Sequence, residues 1–154
     1  MHLVFDQLRG RCVTYGGYNA TTTGLFGDTW EWDGTSWTQT LPSGIPPNVP
    51  FRNETCMAYD LVRQRVVLFG GYDGPAGVSS LYSDETWEYN GVTWTQRNPT
   101  VSPPARTEAR LTYDPRTGRT LLFGGRSLLG TRYGDTWLWD GTNWSQQFPA
   151  NSPT

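Results

Sequence analysis

Residues 65–71, Arg-Val-Val-Leu-Phe-Gly-Gly, lead through a loop to Asp84-Glu-Thr-Trp-Glu-Tyr-Asn-Gly-Val-Thr-Trp94, and this stretch decides how the chain is read. The same pattern occurs once before it and once after it. Gly16-Gly17, Gly70-Gly71 and Gly124-Gly125 follow one another at intervals of 54 residues, as do Phe5-Asp6, Tyr59-Asp60 and Tyr113-Asp114. Trp30/Trp37, Trp87/Trp94 and Trp137/Trp144 each lie seven residues apart. A period of roughly 50 residues with four short strands per unit is the signature of a radial repeat.

Each unit reads as four antiparallel strands, A to D. Strand A (3–5, 55–59, 109–113) ends at an Asp that opens a turn: Asp6-Gln-Leu-Arg-Gly10, Asp60-Leu-Val-Arg-Gln64 and Asp114-Pro-Arg-Thr-Gly118. Strand B (CVTY, VVLF, TLLF) is apolar enough to be covered on both faces. The double glycine closes it, and glycine there marks a close approach, expected from the strand D tryptophan or from a neighbouring unit. Strand C (TWEW, TWEY, TWLW) sets aromatic residues on one face. Asp33-Gly34, Asn90-Gly91 and Asp140-Gly141 carry a tight C–D hairpin, and strand D (SWTQ, TWTQ, NWSQ) follows.

In these residues the chain resembles the kelch family, particularly bacterial kelch proteins with a "YD…R…LFGG…DTW.WDG..W" unit, and the repeats of the galactose oxidase central domain. The resemblance covers essentially the whole chain. It implies an all-β fold of three kelch blades, 1–50, 51–104 and 105–154, each of four antiparallel strands. That is half a β-propeller, because closed rings use about 4–8 blades. An open arc leaves an aromatic sheet face bare at each end, larger than a soluble monomer normally exposes. The expectation is therefore a homodimer, a second copy completing a six-bladed ring. The alternative is a piece of a longer repeat protein, or an engineered segment with no activity beyond assembly.

Bulk composition narrows the function. A net charge of −2 and no basic cluster argue against a nucleic-acid partner. All 12 basic residues are Arg, a residue suited to bidentate and stacked structural contacts. No run reaches the apolar length of a membrane helix, and no signal h-region is present, which leaves localisation open. Cys12 and Cys56 occupy different repeat positions and read as two small buried residues.

The variable segments are the B–C loops (18–27, 72–83, 126–134) and the Pro-rich D–A connections (40–51, 97–105), which emerge on one face. Variable loops on a rigid frame are where binding resides. Tyr18, Asn19, Phe26, Tyr72, Asp73, Tyr82, Arg126, Arg132 and Tyr133 are the candidate anchors there. Leu25, Leu81, Leu128 and Leu129 are expected to tuck beneath the loops. Arg52/Glu54 and Arg106/Glu108 hold one repeat position before strand A. Either each pair lines the channel mouth, or the arginine anchors a neighbouring blade through carbonyls.

Catalysis lacks parts. His2 is the only histidine, so one chain can supply neither a multi-His metal site nor the two-His copper set of galactose oxidase, and no metal or cofactor is expected. The expected function is a non-catalytic scaffold whose loop face holds a protein or glycan ligand. The competing reading is a glycoside-active or redox propeller using acidic residues such as Glu54 and Glu108 at the channel mouth.

Overall fold

The computed structural model describes residues 2–19, 21, 24–41, 49–73 and 82–153. Their regular structure is β: β1 (Leu3–Asp6), β2 (Arg11–Asn19), β3 (Gly24–Trp32) and β4 (Trp37–Leu41) form one antiparallel sheet. β5 (Cys56–Asp60), β6 (Arg65–Phe69), β7 (Thr86–Tyr89) and β8 (Trp94–Arg97) form the second. β9 (Arg110–Asp114), β10 (Arg119–Phe123), β11 (Thr136–Trp139) and β12 (Trp144–Gln147) form the third. Each sheet is a meander in chain order, the arrangement that strands joined by short turns adopt most readily.

The blades stack through side chains that alternate along the strands. Val13 and Tyr15 on the leading face of blade 1 pack with Met57, Tyr59, Val66, Leu68, Trp87, Tyr89 and Trp94 on the trailing face of blade 2. Val67, Phe69 and Cys56, on the other face of blade 2, pack with Leu122, Trp137, Trp139 and Trp144 of blade 3. Strand B of blade 2 is therefore covered on both sides, as its unbroken apolar run requires. The innermost strands β1, β5 and β9 border an open groove of about 480 Å³, with Phe5, Tyr59 and Tyr113 among its lining residues.

Charged clamps reinforce the junctions. Arg9 bonds Asp6 and Glu31 of its own blade, at 2.7 Å each, and lies over the ring of Tyr89 in the next. Arg63 repeats this with Asp60, Glu88 and Trp139, whose Nε1 donates to Glu88 at 2.9 Å. Blade 3 has Thr117 and Leu138 at these positions, so its leading face carries no such clamp.

The C–D turn differs from a two-residue hairpin. Trp32 pairs with Trp37, leaving Asp33–Ser36 as a four-residue loop. The Asp33 side chain accepts from the backbone N–H of Thr35 and Ser36, and Asn90 and Asp140 do the same in their blades. An Asx turn thus does the work that the Asp-Gly dipeptide suggested for a tighter loop. In blade 1 the B–C segment is largely strand rather than loop: β2 and β3 continue through Gly17↔Phe26, Tyr18↔Leu25 and Asn19↔Gly24, past a bulge at Gly16. Among the described residues of blades 2 and 3, the isolated bridges Tyr72↔Tyr82 and Arg126↔Arg132 mark this position.

Leu128 and Leu129 do not tuck under their loop. A turn closed by Gly130 N–H to Ser127 C=O at 3.0 Å lifts the tip away from the sheet, and Leu129 is 93% exposed. Leu25 is half-buried, and Leu81 lies outside the described residues, as do 42–48 of the first D–A connection and 74–81 of the second B–C loop. Cys56 is buried and its thiol is pushed up to about 12 by burial, whereas Cys12 is only half-covered because it lies on the trailing face of blade 1.

Candidate functional site at the loop face

The residues entering blades 2 and 3 decide what the loop face can present. Glu54 and Glu108 have φ of 55° and 58°, a left-handed conformation uncommon for a side chain larger than glycine. The kink breaks the strand alternation that would have put each arginine and glutamate on one face. The arginine turns inward and the glutamate outward.

Arg52 is 1% and Arg106 0% exposed. Arg52 donates to Gly70 C=O at 3.0 Å and pairs with Glu85. Arg106 donates to Gly124 C=O at 2.9 Å and to both oxygens of Asp135, with its guanidinium 4.0 Å from the Tyr133 ring centroid. Both belong to the frame rather than the channel rim. The acids that hold them, Glu85 and Asp135, also accept Trp87 Nε1 and Trp137 Nε1. Burial raises the Asp135 pKa, but bonds from Arg106 and Trp137 outweigh it and hold the carboxyl below its ordinary value. The repeated acid before each Thr-Trp (Asp28, Glu85, Asp135) was the sequence signal for these partners, and residue-type reasoning about loops passed over it.

The close approach behind the first two double glycines comes from these same segments, entering from the next blade. A Cβ on Gly70 would stand 2.5 Å from Arg106 C=O, and one on Gly16 would strike Arg52 C=O. The neighbouring-blade alternative describes this contact, and the strand D tryptophan does not reach it.

With the arginines turned inward, the loop face holds a cavity of about 360 Å³, lined by Tyr18, Asn53, Glu54, Tyr72, Tyr82 and Arg126. All three blades contribute. Tyr72 and Tyr82 meet edge-to-face with ring centroids 6.3 Å apart. Arg126 reaches Tyr82 Oη at 3.5 Å and pairs with Glu108 at 3.2 Å. Aromatic walls with a few convergent polar groups are the composition of a ligand pocket, and this volume lies at its small end.

The remaining candidates do not converge there. Arg132 and Tyr133, with Glu108, border a second cavity of about 320 Å³ at the leading edge of blade 3. Phe26 lies on β3, outside the lining of the loop-face cavity. Asn19 accepts Thr21 N–H at 2.8 Å, and Asp73 follows Tyr72 without lining the cavity. Asn53 is the lining residue that the sequence did not single out. Among the described residues, no group of three or more His, Cys, Asp and Glu is placed to hold a metal ion.

No family model and no curated protein matches this sequence. The solved structure of YjhT, a propeller-type protein, matches 95% of the chain with a TM-score of 0.68 at 15% sequence identity. The chain spans 43% of the length of YjhT. The likeness shows the fold: three propeller-type blades.

Proposed function

We propose that this chain is a kelch-type half-propeller acting as a non-catalytic binding module. Its ligand seat is the cavity of Tyr18, Asn53, Glu54, Tyr72, Tyr82 and Arg126. The observation that carries the reading is this convergence of tyrosines and opposite charges from three blades at one point of the loop face. Tyrosine and arginine supply large contact area with directional hydrogen bonds. The left-handed Glu54 beside the cavity is the kind of backbone strain that functional sites retain. A sugar unit of a glycan, or one polar side chain of a protein ligand, suits the volume and the donors. A glycan and peptide array probed with the wild type, Tyr72→Ala and Arg126→Ala tests this. Binding lost in both variants, with unchanged unfolding curves, supports the seat, and binding indifferent to both overturns it.

A specific observation favours pairing with a second copy. Trp94 and Trp144 are each 2% exposed between blades, whereas Trp37, their counterpart in blade 1, is 46% exposed. Leu3 and Phe5 share that open trailing face. The leading face of blade 3 offers Leu121, Phe123, Thr136 and Leu138, at the positions that cover the tryptophan in the two internal junctions. Head-to-tail contact of blade 3 with blade 1 of a second copy, made twice about a twofold axis, gives a six-bladed ring.

A further inference from the structure

Blades 2 and 3 build one loop-face arrangement from different side chains. In blade 2, Asn53 and Tyr72 exchange main-chain hydrogen bonds at 3.0 and 2.8 Å, and in blade 3 Thr107 and Arg126 do so at 3.1 and 2.9 Å. The next residue after Asn53 and after Thr107 is a glutamate in the left-handed conformation, Glu54 and Glu108. Tyr72 and Arg126 therefore hold the same place beside equivalent carboxylates, 54 residues apart in the chain.

The two carboxylates differ in what they meet. Glu108 has a cation of its own chain, since Arg126 pairs with it at 3.2 Å. At Glu54 a tyrosine stands where that arginine would be, and the carboxylate forms no hydrogen bond or ion pair among the described residues. Arg126 feels the charge of Glu54 less than that of Glu108. The cavity thus holds one matched pair and one carboxylate without a cation.

The rest of the lining is aromatic. Tyr72 is bridged to Asn53 on one side and to Tyr82 on the other, so the main chain fixes where both rings start. The rings meet at 73°, with centroids 6.3 Å apart, and form a corner. Tyr18 borders the same cavity from blade 1. Tyrosine faces attract cations through the ring quadrupole. A primary ammonium, however, has three N–H donors to satisfy and is strongly hydrated, and ring faces do not replace that water. Methylation of the nitrogen removes the donors and leaves the charge.

We propose that the ligand group of this seat is a methylated ammonium cation. It lies in the corner of Tyr72 and Tyr82, with Tyr18 as a third wall, and sets its charge against Glu54 as Arg126 sets its own against Glu108. The assignment rests on the reading of this cavity as the ligand seat. Two sources carry the group: a methylated lysine side chain of a protein, and a free choline-type molecule.

The test is a calorimetric titration of the full chain with choline, with a trimethyllysine amide, and with the uncharged choline analogue that has a tert-butyl group in place of trimethylammonium. Choline should bind about tenfold or more tightly than the analogue of the same shape, the scale of several cation–π contacts. Glu54→Gln and Tyr72→Leu should each weaken choline by about fivefold or more, and Tyr72→Phe, which keeps the ring, should retain binding. Whichever of choline and the trimethyllysine amide binds more tightly identifies the source. No choline binding, equal binding of choline and the analogue, or choline binding unchanged in Glu54→Gln overturns the cation assignment. The seat itself then stands if glycan or peptide array binding is still lost in Tyr72→Ala, and falls with the assignment if array binding is indifferent to that change.

Discussion

Trp94 of blade 2 donates its indole N–H to Thr29 Oγ1 of blade 1 at 2.9 Å, across a junction where neither residue is exposed to more than a trace of water. Trp144 makes the same bond to Thr86 at 2.9 Å one blade later. Each indole also rests on an aromatic ring of the preceding blade, Tyr15 at 5.3 Å and Phe69 at 5.3 Å between centroids. One residue per blade thus supplies apolar area, a ring contact and a satisfied polar group.

Position in the repeat therefore sets what each tryptophan is worth. Trp94→Ala and Trp144→Ala should each destabilise the fold by about 3–5 kcal/mol in urea unfolding, the usual loss for a buried tryptophan. Trp37→Ala should leave the stability of a single copy nearly unchanged and weaken association instead. Unfolding and sedimentation measured on the three variants separate the two roles, and a large stability loss in Trp37→Ala contradicts the assignment.

Arg106→Ala removes a buried cation from Asp135 and Gly124 C=O, and should cost about 3–5 kcal/mol. Arg106→Lys should recover little of it, because an ammonium cannot reproduce the two-pronged contact with Asp135. Thermal unfolding of the two variants checks this.

Gly70 and Gly124 offer a matched pair. Both have left-handed φ, so an alanine at either carries a similar backbone cost of about 1 kcal/mol. Only Gly70→Ala drives a methyl group into Arg106 C=O. It should be the more destabilising of the two in urea unfolding, and equal losses count against the close approach.

Acid should loosen the junctions. Burial raises the Glu88 pKa, but bonds from Arg63 and Trp139 and the charges of Arg63 and Arg97 outweigh it, leaving the carboxyl below its ordinary value. Asp135 is lowered in the same way by Arg106 and Trp137. A carboxyl with a depressed folded pKa contributes its full stabilisation above its unfolded value, about 4–4.5, and loses it as pH falls through the folded value. Urea midpoints should therefore drop between pH 5 and pH 3, at roughly constant ionic strength. Glu88→Gln should be less stable at neutral pH and show a flatter decline.

The recurrence of paired glycines, of tryptophans seven apart and of Asp-ended strands was sufficient for an all-β, three-blade architecture with strands A to D, because chain-local alternation and turn chemistry specify a meander without reference to distant residues. Tyr18, Glu54, Tyr72, Tyr82 and Arg126 were also legible as loop-face residues, since strand direction dictates which connections share a face. Where Arg52 and Arg106 point was not. A left-handed residue two positions later reverses the local alternation, and the partners, Gly70, Glu85, Gly124 and Asp135, lie 18 to 33 residues onward. The contrast between Trp37 and its two counterparts belongs to the tertiary structure as well: three like residues in like sequence differ only in whether another blade stands in front of them.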